Sequence, residues 1–138
     1  MIDNCSLEIP THGNGDTIDI TPRLSAALSE SKIQNGIVNI FVLGSTASIT
    51  TIEYEPNLVD DFKDLMDRIA PEKRTYRHDD TWGDKNGHAH VRASLLGPSL
   101  TVPCRDGILA LGTWQQIVLV DFDNRPRKRE ILVQIMGE

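Results

Sequence analysis

The residue types best suited to chemistry crowd into one stretch of the chain. His78 stands in Tyr76-Arg77-His78-Asp79-Asp80, and His88 and His90 stand in Asn86-Gly87-His88-Ala89-His90. Imidazole titrates near neutrality and, when neutral, binds Zn²⁺ and similar metals, so the cluster suits either acid/base work or metal ligation. On a strand His88 and His90 would point the same way and could share an ion. On a helix, two positions correspond to about 200° of rotation and the pair separates. Gly97-Pro98 is a strong helix stop, which favours the helix and places His90, Ser94 and Gly97 on one face and His88 on another. His90, His78 and one acidic neighbour then form the candidate site. The plainer reading, a surface or hydrogen-bonded core histidine, is the commoner fate of an isolated imidazole, and spacing does not separate the two.

Other groups carry weaker signals. Asp79, Asp80 and Asp84 could hold Mg²⁺ through carboxylates or simply be solvated. Asn86-Gly87 opens a helix, and a helix start favours an anion. Gly44-Ser45-Thr46-Ala47 follows an apolar run and could wrap backbone and hydroxyl donors around an anion or be a plain turn; it lacks the lysine and spacing of a P-loop. Glu53 could be a metal ligand, a general base or a solvent-facing carboxylate. In the basic run Arg125-Pro126-Arg127-Lys128-Arg129, one arginine could reach a phosphate or carboxylate. Trp114 is read as a packing anchor. No nucleophile elbow, dinucleotide fingerprint or paired CxxC occurs.

These side chains must be held by one domain, since 138 residues suffice for a real core but not for two. Hydrophobic residues at 39% and charged residues at 25% place the chain among ordered globular proteins. A net charge of −6 with scattered basic residues argues against a nucleic-acid surface. No run approaches the roughly 20 apolar residues that span a bilayer, and no basic-plus-apolar leader is visible, so a cytoplasmic location is expected. Cys5 and Cys104 are read as packing thiols.

Alternation predicts a strand over Cys5 to Ile9, followed by a loop. Thr21 is expected to cap a helix with Pro22 at its first position, ending before Gly36. Ile37 to Leu43 reads as a buried strand and Ser48 to Glu53 as a second. Pro56 opens an amphipathic helix with Leu58, Phe62, Leu65, Met66 and Ile69 on one face, stopped by Pro71. Thr75 to Lys85 is expected to be a polar surface loop, with Asn86 capping the helix His88 to Leu96. Strands over Leu100–Val102, Ile108–Leu111, Gln115–Phe122 and Glu130–Met136 suggest a sequential meander. The fold class is therefore α+β, a sandwich of mainly antiparallel sheet with a few short helices.

Taken in order, Gly44-Ser45-Thr46-Ala47-Ser48 with Glu53, Tyr76-x-His78-Asp79, His90-x-x-x-Ser94-Leu95-Leu96-Gly97-Pro98-Ser99 and Gly112-Thr113-Trp114-Gln115 resemble the YjbQ-like family, named secondary thiamine-phosphate synthase. The resemblance runs from Asp19 to Glu138. It implies a compact α+β sandwich, assembly as a homotrimer and a site gathering three histidines. Two of those positions match His78 and His90; Glu53 and Asp61 match acidic positions, and His88 matches none. Many bacterial members carry the first histidine where this chain has Gly44. In that respect it resembles an archaeal-type subgroup with G-S-T, so the three-histidine site does not form in the usual way, and Glu53, His12 or a water would have to substitute.

The implied activity joins a pyrimidine diphosphate to a thiazole phosphate, normally with Mg²⁺, and a divalent metal, Zn²⁺ or Mg²⁺, is the expected cofactor. Ser45, Thr46, Asn86, Ser94 and Arg129 are the expected substrate-binding residues, His78, His90 and Glu53 the expected catalytic or metal-binding ones. The alternative is a non-catalytic oligomeric domain that holds a metal or a small anionic metabolite.

Overall fold

The computed structural model describes all residues from Met1 to Glu138. In chain order the elements are β1 (Ile2–Thr11), β2 (Asp16–Asp19), α1 (Thr21–Ser31), β3 (Gly36–Val42), β4 (Ala47–Glu53), α2 (Pro56–Ile69), α3 (Arg77–Trp82), α4 (Gly87–Leu96), β5 (Ser99–Arg105), β6 (Ile108–Leu109), β7 (Gln115–Asp121) and β8 (Arg127–Gly137). Two antiparallel sheets form, one ordered β1-β8-β3-β5-β6 and the other β2-β7-β4. The α+β sandwich expected from the sequence is the observed architecture.

The larger core fills the space between the sheets and is closed by α1 through Leu24, Ala27 and Leu28. A second core joins Val118, Val120 and Phe122 to Met66 of α2 and to Ala89 and Ala93 of α4. Ile117 and Leu119 belong to the first core and their neighbours Val118 and Val120 to the second, so the apolar run of β7 is buried on both faces. A strand without a polar face must be covered twice. That requirement overturns the expected meander. β7 lies in the middle of the small sheet between β2 and β4, whereas β8, which alternates buried and exposed, lies in the large sheet between β1 and β3. The turn between them therefore crosses from one sheet to the other.

Local expectations also shift. Asp16–Asp19 is a strand because it finds β7 as partner, which no local pattern announces. Thr21 is inside its helix rather than capping it; its hydroxyl accepts from the Ile117 amide at 2.8 Å, and the Asp19 carboxylate accepts from the Thr21 amide. Glu55 caps α2 by accepting from the Leu58 amide. Within α2 only Met66 is buried and Phe62 packs half-buried against Phe122, while Leu65 and Ile69 stay exposed. The polar stretch before α4 contains the short helix α3. Trp114 is 71% exposed, because it sits in the turn ahead of β7 outside both cores, so it is not a packing anchor. Cys5 and Cys104 are free thiols, Cys104 in the larger core. No helix is long and apolar enough to cross a membrane.

Candidate functional site

The sheet crossing between β7 and β8 assembles a buried polar network at one end of the sandwich. Asp121 and Asp123 leave β7 with no exposed surface, and Arg127 and Arg129 enter β8 opposite them. Arg129 grips Asp121 with two hydrogen bonds, Nε to Oδ2 at 2.7 Å and Nη2 to Oδ1 at 2.8 Å. Its Nη2 also donates to Thr46 Oγ1 at 2.6 Å, and that hydroxyl donates to Asp123 Oδ2 at 3.0 Å. Thr11 donates to Asp121 Oδ2, and Arg127 donates through Nε and Nη2 to Asp123 Oδ2. Asn86 donates to Asp123 Oδ1 at 3.3 Å. Burial alone would raise the Asp123 pKa. The Asn124 amide, Asn86, Arg127 and Thr46 outweigh burial and hold it at about 2. Two carboxylates face two guanidiniums, which is the condition for keeping charges under cover.

The network anchors the start of α4, where the histidines diverge as a helix requires. His88 turns inward and is 2% exposed, while His90 stays partly open. His78, projected by α3, meets His90 with ring centroids 4.3 Å apart and planes tilted by 42°. Both line a hollow of about 460 Å³ with Tyr76, Arg74, Arg77 and Gly87. Gly87 is required by close approach: a Cβ there would lie 2.5 Å from Tyr76 Cβ. The Tyr76 hydroxyl in turn donates to the Pro71 carbonyl at 2.7 Å, fixing the chain that leads into α3. Around this junction four buried polar atoms have no partner: His78 Nδ1, Asp79 Oδ1, Asn86 Oδ1 and His88 Nδ1. Such orphans are uncommon in settled packing.

Burial lowers the pKa of His90, and neighbouring His78 lowers it further, against the opposing pull of Asp123 and Asp84. Burial likewise lowers that of His88, assisted by Arg92 and opposed by Glu72, Asp123 and Asp79. In the unfolded chain both imidazoles take up a proton near pH 6.5. The fold resists that proton, so as pH falls through this window the unfolded state binds more protons and stability declines. Urea midpoints measured between pH 7.5 and pH 5.5 should fall with acidity, and His88→Gln should flatten the slope; equal slopes in both proteins would remove His88 from the account.

The other expected site residues divide. Gly44, Ser45 and Ser94 meet around a second hollow of about 160 Å³. Thr46 and Asn86 are buried, their donors committed to Asp123, so these side chains support the site from behind instead of facing a ligand. Asn86 holds the N-cap position of α4 as expected, but its side chain makes no capping hydrogen bond. Glu53 is exposed at the far end of β4, beside Trp114, Tyr54 and Asp19, about 20 Å from Ala47 along the strand. It does not join His78 and His90 within one chain. Asp61 lies exposed on α2, and His12 is exposed beside Asp16 at 3.6 Å. Nowhere do three or more His, Cys, Asp or Glu side chains converge to hold a metal ion. Two imidazoles are one ligand short of a catalytic zinc centre, so the donor set of a single chain does not fit that ion. Asp79, Asp80 and Asp84 likewise do not converge into a cage for Mg²⁺.

Asp121, Asp123 and Thr11 were not singled out from the sequence, and Arg127 only as one member of the basic run Arg125 to Arg129. The available signal was Asp-x-Asp closing an apolar run, followed within a few residues by Arg-x-Arg.

A sequence model of the family described as UPF0047 protein YjbQ-like matches residues 5–138. Among curated proteins, a UPF0047 protein of Methanothermobacter thermautotrophicus is 39% identical over 132 residues, 96% of this chain and 90% of that one. Another from Methanocaldococcus jannaschii is 37% identical, covering 95% and 92%. Among solved structures, a YbjQ-like protein of unknown function from Sulfolobus solfataricus superposes with a TM-score of 0.90 at 34% identity over 100% of both chains. An uncharacterized conserved protein of the yjbq/upf0047 family from Clostridium acetobutylicum gives 0.88 at 34%, covering 96% and 99%.

Proposed function

Because the chain belongs to the YjbQ-like UPF0047 family, we propose that it is an oligomeric enzyme acting on a small phosphorylated or otherwise anionic metabolite, with thiamine-phosphate formation as one such activity. The observation that carries this reading is the His78–His90 pair: two imidazoles from separate helices, 4.3 Å apart, facing an open hollow. Burial and the adjacent His78 lower the pKa of His90, which leaves that imidazole available as a base. In the synthase version, the thiazole nitrogen bonds to the pyrimidine methylene carbon as its bond to the diphosphate oxygen breaks. The electron pair leaves on diphosphate, where an imidazole that carries a proton can donate it. Arg74 and Arg77, lining the same hollow, suit the departing negative charge.

Homotrimeric assembly belongs to the same proposal. Phe41, Leu132 and Met136 lie on the outer face of the large sheet, each about 40% exposed, with Phe41 paired to Leu132 and Ile37 to Met136 in register. The polar pair Asn39 and Gln134 stands between them on this face, so two exposed apolar patches flank it and suit association with another copy.

His78→Ala and His90→Ala should each fold, sediment as the trimer and lower product formation by about 100- to 10,000-fold. Product would be followed from a pyrimidine diphosphate and a thiazole phosphate, and from a panel of phosphorylated metabolites. Folded variants with unimpaired turnover would sink the acid/base reading. Saturable metabolite binding with no turnover by the wild type would favour a binding domain instead.

A further inference from the structure

Arg129 leaves one arm of its guanidinium unused. Nε and Nη2 are held by Asp121 and Thr46, but Nη1 makes no hydrogen bond in a residue 94% buried. Nor is Nη1 among the enclosed orphan atoms, so it touches solvent. It does so at Gly44. A Cβ on Gly44 would lie 2.7 Å from Nη1, and apart from Arg129 nothing else lies within 4 Å of that position. The planar guanidinium is fixed by its other bonds and does not swing away. Gly44, at φ +137°, therefore keeps a window open over a charged amine. The same loop holds backbone donors: the amides of Gly44, Ser45 and Thr46 donate to no group in the chain. Consecutive free amides form an anion-binding concavity, here backed by a cation. Beside it the hollow bounded by Gly44, Ser45 and Ser94 contains no carboxylate.

We infer that Arg129 Nη1 and the Gly44–Thr46 amides form a subsite for a phosphoryl group. Ser94 stands one helical turn from His90 on α4, about 6 Å along the axis, so a phosphoryl group here places the rest of a small metabolite at the histidine pair. For the reaction this rests on the proposed anionic-metabolite enzyme; the binding itself is measured without turnover.

Titration calorimetry of the full chain with sodium phosphate, at fixed ionic strength and with acetate as the carboxylate control, tests it. Wild-type protein should bind phosphate saturably and more tightly than acetate. Gly44→Ala, which closes the window, and Ser94→Asp, which sets a negative charge against the hollow, should each weaken phosphate binding about tenfold or more. Ser94→Asp keeps the test decisive if Gly44→Ala folds poorly, since Ser94 is exposed. The assignment is overturned if the wild type does not bind phosphate, if acetate binds equally, or if Ser94→Asp binds unchanged. Phosphate binding that survives here while the wild type turns over no metabolite would sink the enzyme reading and leave this subsite standing.

Discussion

Asp121→Asn is expected to destabilise the fold by about 3–5 kcal/mol, the range found when one member of a buried ion pair is removed and the other is left uncompensated. Asp121 has no exposed surface and accepts four hydrogen bonds: two from Arg129, one from Thr11 and one from the Asp123 amide. The amide of asparagine keeps the shape but offers only one oxygen, turns an N–H₂ toward donors and leaves the Arg129 charge under cover without its carboxylate. Because Arg129 also holds Thr46, and Thr46 holds Asp123, the loss should spread to the Gly44 loop and the start of α4. Urea denaturation at pH 7.5 measures it. A loss below about 1 kcal/mol would mean that the network is no more than a surface ion pair in energy.

Leu119→Ala is the second large effect, with an expected loss of about 2–5 kcal/mol. Leu119 is fully buried in the larger core, in the middle of β7, paired with Ile18 on one side and Ile49 on the other. Neither neighbouring strand can collapse into the space without breaking its register, so most of the cavity should persist. Comparison with Ile18→Ala sharpens the test, because Ile18 only packs against the edge of the same core and its truncation should cost less. Equal losses at the two positions would contradict the layered arrangement. Both are read from denaturant midpoints at unchanged m-value.

Apolar patterning along the chain already announced the α+β class, most strands, the boundaries of α4 and the stop at Gly97-Pro98, because these rest on periodicity and on the backbone limits of Gly and Pro. The separation of His88 from His90 was legible for the same reason: a helix rotates neighbours two apart onto different faces, and one is buried and the other partly open. The pairing of His78 with His90 followed from no local rule. Nor did the inward burial of Thr46 and Asn86, or the distance of Glu53 from the histidines, show in their spacing.

What the amino-acid sequence determined by itself is thus which segments fold locally and which face of each is apolar, since neighbours a few residues apart settle those preferences. What only the tertiary structure decided is the partner of each strand and the contents of the site. β7 needed cover on both faces and so left the meander, which carried the following turn from one sheet to the other. That crossing set Asp121 and Asp123 against Arg127 and Arg129, and a buried charge is tolerable only where chain segments remote in sequence bring its counter-charge.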